Sequence, residues 1–139
     1  MPEYELHKRT RQSIVRIGVL EGYDAKTEWP ADEPEAFDGA WFRPTTGESP
    51  THVFEVHIGG DRHKAITKLM RAQNRWGGCQ IRLVTTKAQL ADLRAEVAAT
   101  VSQADVVAWK VINEKAIHRL LKHLSPISEM REEIGYEHI

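Results

Sequence analysis

The chain has 139 residues, 41% apolar and 28% charged, and 19 Lys+Arg against 20 Asp+Glu leave a formal net charge of −1. That length and composition argue for a single domain with its own hydrophobic core and against wholesale disorder. The balanced charge excludes nucleic-acid binding by global attraction, so only a local basic patch could serve. No apolar run approaches the ~20 residues of a membrane span, and Met1-Pro2-Glu3-Tyr4-Glu5 lacks the basic-then-apolar layout of a secretory signal. Cys79 is the only cysteine. An intramolecular disulfide and CxxC-type zinc sites are thereby excluded, and a reducing cytoplasm is the expected compartment.

The spacing predicts a first helix over Glu5–Gly22, with Leu6, Thr10, Ile14 and Ile17 on one face and Gly22 as its stop. Three extended stretches follow. Ala25–Trp29 ends at Pro30, and an acidic turn, Asp32–Glu35, leads into Ala36–Phe42. The turn-rich run Pro44–Pro50 leads into Thr51–Ile58, where His52, Phe54, Val56 and Ile58 alternate with Val53, Glu55 and His57. Gly59–Gly60 ends that strand. Asp61–Trp76 is the clearest helix: Asp61 is a candidate N-cap, and Ala65, Leu69, Ala72 and Trp76 form an apolar stripe. Lys64, Lys68, Arg71 and Arg75 form a basic stripe on another face.

Gln80–Thr85 reads as a strand, Lys87–Val101 as an Ala-rich helix and Val106–Ile112 as a strand buried on both faces. Asn113 can cap a last helix, Glu114–Leu124, which Pro126 should break, leaving a polar tail from Ser128. The expected architecture is therefore α/β, a central mixed sheet flanked by helices in the order α-β-β-β-α-β-α-β-α. One domain spans the chain, its core in roughly residues 5–124 and its tail from 125 to 139.

One group of residues points to chemistry. Glu55 and His57 are two apart on their strand and so share a face, and Asp38 can approach that face if its strand pairs across the Pro44–Pro50 turn. A carboxylate inside an apolar strand needs a cation, a metal or strong donors beside it. Two neighbouring carboxylates repel, and a divalent ion is the simplest remedy. Mg²⁺ accepts one or two carboxylates together with water and phosphate oxygens, which suits phosphodiester chemistry.

Asp38, across a turn from Glu55-Val56-His57, resembles the signature of the PD-(D/E)XK nuclease superfamily, the restriction-endonuclease-like fold. The resemblance covers roughly residues 5–112 and includes the order of elements. It implies that Asp38, Glu55 and the Val56 carbonyl hold Mg²⁺ or Mn²⁺ and that the substrate is DNA. His57 stands where the family has lysine, so it would assist the attacking water, or Lys64 or Lys68 would reach back in its place. Gln12 or Glu21 on the first helix would be the accessory polar residue. Arg62, Lys64, Lys68, Arg71 and Arg75 would contact the phosphate backbone, helped by His63 at the helix start. The alternative within the same fold is a catalytically degenerate module that binds nucleic acid or supports assembly. A homodimer is compatible with either.

Each residue also has an ordinary structural role to weigh. Asp38 could cap a turn, and Glu55 could pair with Arg43 or Arg82. His57 could be a hydrogen-bonded sheet histidine, and the basic stripe a solvated helix face. Other chemistries find little support. There is no HExxH, P-loop, GxGxxG or GxSxG. Cys79 reads as a small buried hydrophobe, and Trp29, Trp41, Trp76 and Trp109 read as core.

Overall fold

A computed structural model describes residues 1–30, 36–45 and 47–135. The expected acidic turn at Asp32–Glu35 lies outside the described residues, as do Thr46 of the turn-rich run and positions 136–139 of the tail. The elements are α1 (Glu3–Leu20), β1 (Asp24–Trp29), β2 (Phe37–Phe42), β3 (His52–His57), α2 (Arg62–Arg75), β4 (Gln80–Thr85), α3 (Lys87–Thr100), α4 (Gln103–Val106), β5 (Trp109–Asn113) and α5 (Glu114–Ile134). The chain is thus an α/β fold with one five-stranded mixed sheet in the order β1-β2-β3-β4-β5. β1, β2 and β3 form an antiparallel meander, and β3, β4 and β5 run parallel. The parallel pairs need crossovers, which α2 and α3 supply.

Helices cover both faces, as the apolar patterns require. Phe54, Val56 and Ile58 turn toward Ile14 and Ile17 of α1 and Ile117 of α5. Val53, Ile81 and Leu83 turn toward Ala65, Ile66, Leu69 and Ala72 of α2 and Leu93 and Val97 of α3. β3 therefore lies in the middle of the sheet, with its alternate residues serving two separate cores.

Local signals account for several helix ends. Asp61 accepts hydrogen bonds from the His63 N–H at 2.9 Å and the Lys64 N–H at 3.3 Å, capping α2. Gly22 takes φ +88° after α1, where the Tyr23 N–H returns to the Gly18 carbonyl. Asn113 caps α5 through the Lys115 N–H.

Two boundaries differ from the sequence expectation. The apolar run from Val106 does not begin a strand: Ser102 caps the short turn α4, Val107 is left 83% exposed, and β5 starts only at Trp109, as an edge strand with Lys110 exposed and not one buried on both faces. The Ser102 side chain accepts from the Asp105 N–H, and that local bond competes successfully with a strand. Pro126 also fails to end the last helix, which runs through it to Ile134. The Ser125 hydroxyl bonds back to the Leu121 carbonyl at 3.1 Å, and the exposed position leaves the carbonyl freed by proline open to water. Among the described residues no helix is long and apolar enough to cross a membrane.

Candidate functional site

The site forms where β2 parts from β3. Their ladder pairs Trp41 with His52, Ala40 with Val53 and Gly39 with Phe54, and goes no further. Beyond it, side-chain carboxylates take over from backbone carbonyls. The Asp38 N–H donates to Glu55 Oε1 at 3.2 Å, and the Val56 N–H donates to Asp38 Oδ2 at 2.8 Å. Buried N–H groups need acceptors, so the fork between the strands is closed by the two acids themselves. On β1, between the pairs Thr27–Gly39 and Trp29–Phe37, Glu28 adopts φ +50°, and Thr27 Oγ1 donates to the Asp38 carbonyl at 3.1 Å. A left-handed backbone at a non-glycine residue is strained, and here it sits beside the fork.

Two helices complete the group from opposite faces. From α2, the Lys68 ammonium donates to Glu55 Oε2 at 2.9 Å and to the Ala36 carbonyl, passing over the Phe37 ring 5.0 Å from its centroid. Lys68 is 4% exposed, so it belongs to the site and not to a solvated stripe. From α1, His7 Nε2 lies 3.3 Å from Asp38 Oδ2. Neither Gln12 nor Glu21, both exposed, makes a hydrogen bond or ion pair with Asp38 or Glu55 among the described residues. Nor does Glu55 pair with Arg43 or Arg82; the Arg82 guanidinium is occupied by the Ile81 and Ala108 carbonyls.

The electrostatics separate the two carboxyls. Burial and the neighbouring Asp38 charge push Glu55 up to about 7, against the pull of Lys68. Burial also pushes Asp38 upward, but the His7 hydrogen bond and the Val56 N–H outweigh it and hold Asp38 below the usual range. Its partner His7 is raised by the hydrogen bond to Asp38, against partial burial. One acid is thus firmly ionised while the other shares its proton near neutrality, the separation expected of close carboxyl pairs.

His57 lies on the same face as Glu55 and lines with it a cavity of about 190 Å³, together with Val56, Gly59, Asp61, Lys64, Ala65 and Lys68. Its Nε2 is buried and has no hydrogen-bond partner among the described residues. Burial and Arg62 hold its pKa below the usual value, so the imidazole is neutral at pH 7. Gly59 is pressed against the Glu3 carboxylate: a Cβ there would come within 2.6 Å of it.

The other basic residues of α2 divide. Arg62 is tied to α3 through Glu96 at 3.3 Å and Asp92 at 4.0 Å. Lys64 stands at the cavity mouth, Arg71 is exposed, and Arg75 stacks on Trp76 at 5.0 Å. Cys79 is buried and its thiol is pushed up to about 12 by burial, which makes it inert.

Comparison with protein-family models, with curated proteins and with solved structures finds no match to this chain. What the site can do therefore rests on its own geometry. Among the described residues no three His, Cys, Asp or Glu side chains gather as a ready metal cage. Mg²⁺ and Mn²⁺ need less than that, since one or two carboxylates suffice when water and phosphate oxygens complete the shell. Two neighbouring buried carboxyls, one of them pushed up to about 7 by burial and by the charge of the other, fit that requirement.

His7 was not legible as a site residue, yet its spacing carried a signal. It stands three before Thr10 and seven before Ile14, on the face that α1 buries. Lys68 carried a similar one. At ~100° per residue it falls ~60° from Ala65, closer to the apolar stripe than Lys64, Arg71 or Arg75.

Proposed function

We propose that this chain is a metal-dependent nuclease of the restriction-endonuclease-like kind, hydrolysing phosphodiester bonds in DNA. The observation that carries the reading is the fork itself: Asp38 and Glu55 meet where β2 leaves β3, with the Lys68 ammonium 2.9 Å from Glu55. Asp38, Glu55 and the Val56 carbonyl would hold Mg²⁺ or Mn²⁺, which when bound polarises a phosphate oxygen and acidifies a water. Lys68 supplies, from α2, the permanent cation that the strand position of His57 lacks. It neutralises charge gathering on a phosphate and orients the nucleophile by donating a hydrogen bond. His57, neutral and lining the same cavity as Glu55, would accept a proton from the attacking water. His7 holds Asp38 in its ionised form. Lys64 at the mouth and Arg71 and Arg75 along α2 offer phosphate contacts.

A second reading has its own support. His7, the Val56 N–H and Lys68 already satisfy the two carboxylates within the protein, so the same group also serves a nucleic-acid-binding module without catalysis. Cleavage of single- and double-stranded DNA with Mg²⁺ or Mn²⁺ decides between them. The nuclease reading expects cleavage by the parent protein, abolished in Asp38→Ala and in Lys68→Met. It expects His57→Ala to fall by ~10²-fold or more, the usual scale of acid–base help. DNA bound but uncut by a folded parent protein under both metals would leave the binding module.

A further inference from the structure

On the face of the sheet covered by α1 and α5, the two helices are joined by a polar network that the fork does not use. Thr10 Oγ1 donates to the Leu6 carbonyl at 2.7 Å, so toward His118 Nε2, 3.2 Å away, it can only accept. The same Nε2 lies 3.1 Å from Glu114 Oε2. Both neighbours assign the ring proton to Nε2, which leaves Nδ1 to accept from Ser13 Oγ at 3.1 Å. Ser13, His118 and Glu114 thus form one directed chain.

That chain ends at a cavity of about 450 Å³, lined by Arg9, Ser13, His118, Arg119, Leu121 and Lys122. Arg9, Arg119 and Lys122 are exposed, and none has an acidic partner among the described residues. The nearby carboxylate, Glu114, is buried and engaged with His118. Three cations around one cavity repel each other, and a bound anion relieves that repulsion. The Ser13 hydroxyl rotates freely enough to turn its proton from Nδ1 to a ligand oxygen. The cavity exceeds the size of a bare anion and falls in the range of small-molecule sites, with Leu121 as an apolar wall.

We propose that this cavity between α1 and α5 binds the phosphate group of a small phosphomonoester, with Arg9, Arg119 and Lys122 as its cations and Ser13 as a neutral donor. A monoester is favoured over a phosphodiester because its dianion balances three positive charges better than a monoanion does. The site is independent of the nuclease reading.

The test is thermal unfolding and calorimetry at constant ionic strength with inorganic phosphate, a nucleoside 5′-monophosphate and a dinucleoside phosphodiester, alongside the ring resonances of His118. The monophosphate should raise the melting temperature by mass action and move the His118 signals, inorganic phosphate should do so more weakly, and the diester least. Arg9→Gln with Lys122→Gln should weaken the monophosphate about 100-fold, at about tenfold for each charge-assisted hydrogen bond removed. Both positions are exposed, so the double variant should fold. Asp38→Asn should retain the full response. The proposal is overturned by an absent response in the parent protein, by an undiminished response in the double variant, or by a diester that binds as tightly as the monoester.

Discussion

Replacing Lys68 by Met should destabilise the protein by an amount that grows with pH, and the structure sets the scale. Lys68 is buried, and its ammonium is the counter-charge of Glu55. Removing one partner of a buried pair ordinarily costs about 3–5 kcal/mol, because the other charge is stranded. Glu55 has an escape, since burial and Asp38 already raise it to about 7, and without Lys68 it rises further and takes up a proton. A raised carboxyl stabilises the fold below its unfolded pKa, and that contribution is lost as pH climbs through the folded value. In the parent protein the loss from Glu55 between about pH 5.5 and about pH 8.5 is then about 2 kcal/mol, as Glu55 titrates near the middle of the interval. In Lys68→Met it titrates higher, and the loss over the same interval is larger, by up to about 2 kcal/mol. At the acid end the variant should cost only about 1–2 kcal/mol, because the Ala36 carbonyl is left without its donor and the Phe37 ring without the cation over its face. Urea unfolding of both proteins at the two pH values measures this directly. Titrations of other groups, His7 among them, are common to both proteins and cancel in the difference. Adding Glu55→Gln to Lys68→Met should remove the excess slope. A penalty for Lys68→Met that is the same at both pH values would refute the coupling between Lys68 and Glu55 on which the site is built.

Millimolar Mn²⁺ should raise the melting temperature, and the shift should grow with pH between about 6 and 8, because binding must displace the proton that Glu55 retains; a pH-independent shift, or one that survives Asp38→Ala, would place the ion elsewhere. Duplex DNA binding that uses Lys64, Arg71 and Arg75 should show a slope of log K against log[salt] near −3, reduced by about 2 in Lys64→Ala with Arg71→Ala. An unchanged slope would show that this face of α2 does not meet the backbone. Glu28→Gly should stabilise the fold by up to about 1 kcal/mol, because glycine accepts the left-handed backbone at φ +50° and the ion pair with Arg11 is mostly exposed on the Glu28 side. A fall in melting temperature for that variant would mean the Arg11–Glu28 pair outweighs the backbone strain.

Much of the fold was written locally. The alternation in Thr51–Ile58 placed β3 between two cores because each face of a central strand must be apolar. Asp61 and Gly22 set helix ends because a side-chain acceptor and a glycine backbone act within a few residues of where they stand. The placement of Asp38 and Glu55 near one another followed from the same local logic, through a strand–turn–strand pairing. What lay beyond the sequence were relations between distant elements. That Lys68 turns inward to Glu55 was decided by how α2 packs on Phe37, and that His7 meets Asp38 was decided by how α1 crosses β2. Pro126 and the Val106 run misled for local reasons: at its exposed position the proline leaves the Lys122 carbonyl to water, and the Ser102 hydroxyl found a backbone partner that composition does not announce. A sequence pattern reports which face a residue occupies, whereas the partner across that face depends on the angle at which two elements pack. In this protein that angle brings a lysine and a histidine from opposite sides of the sheet to one pair of acids.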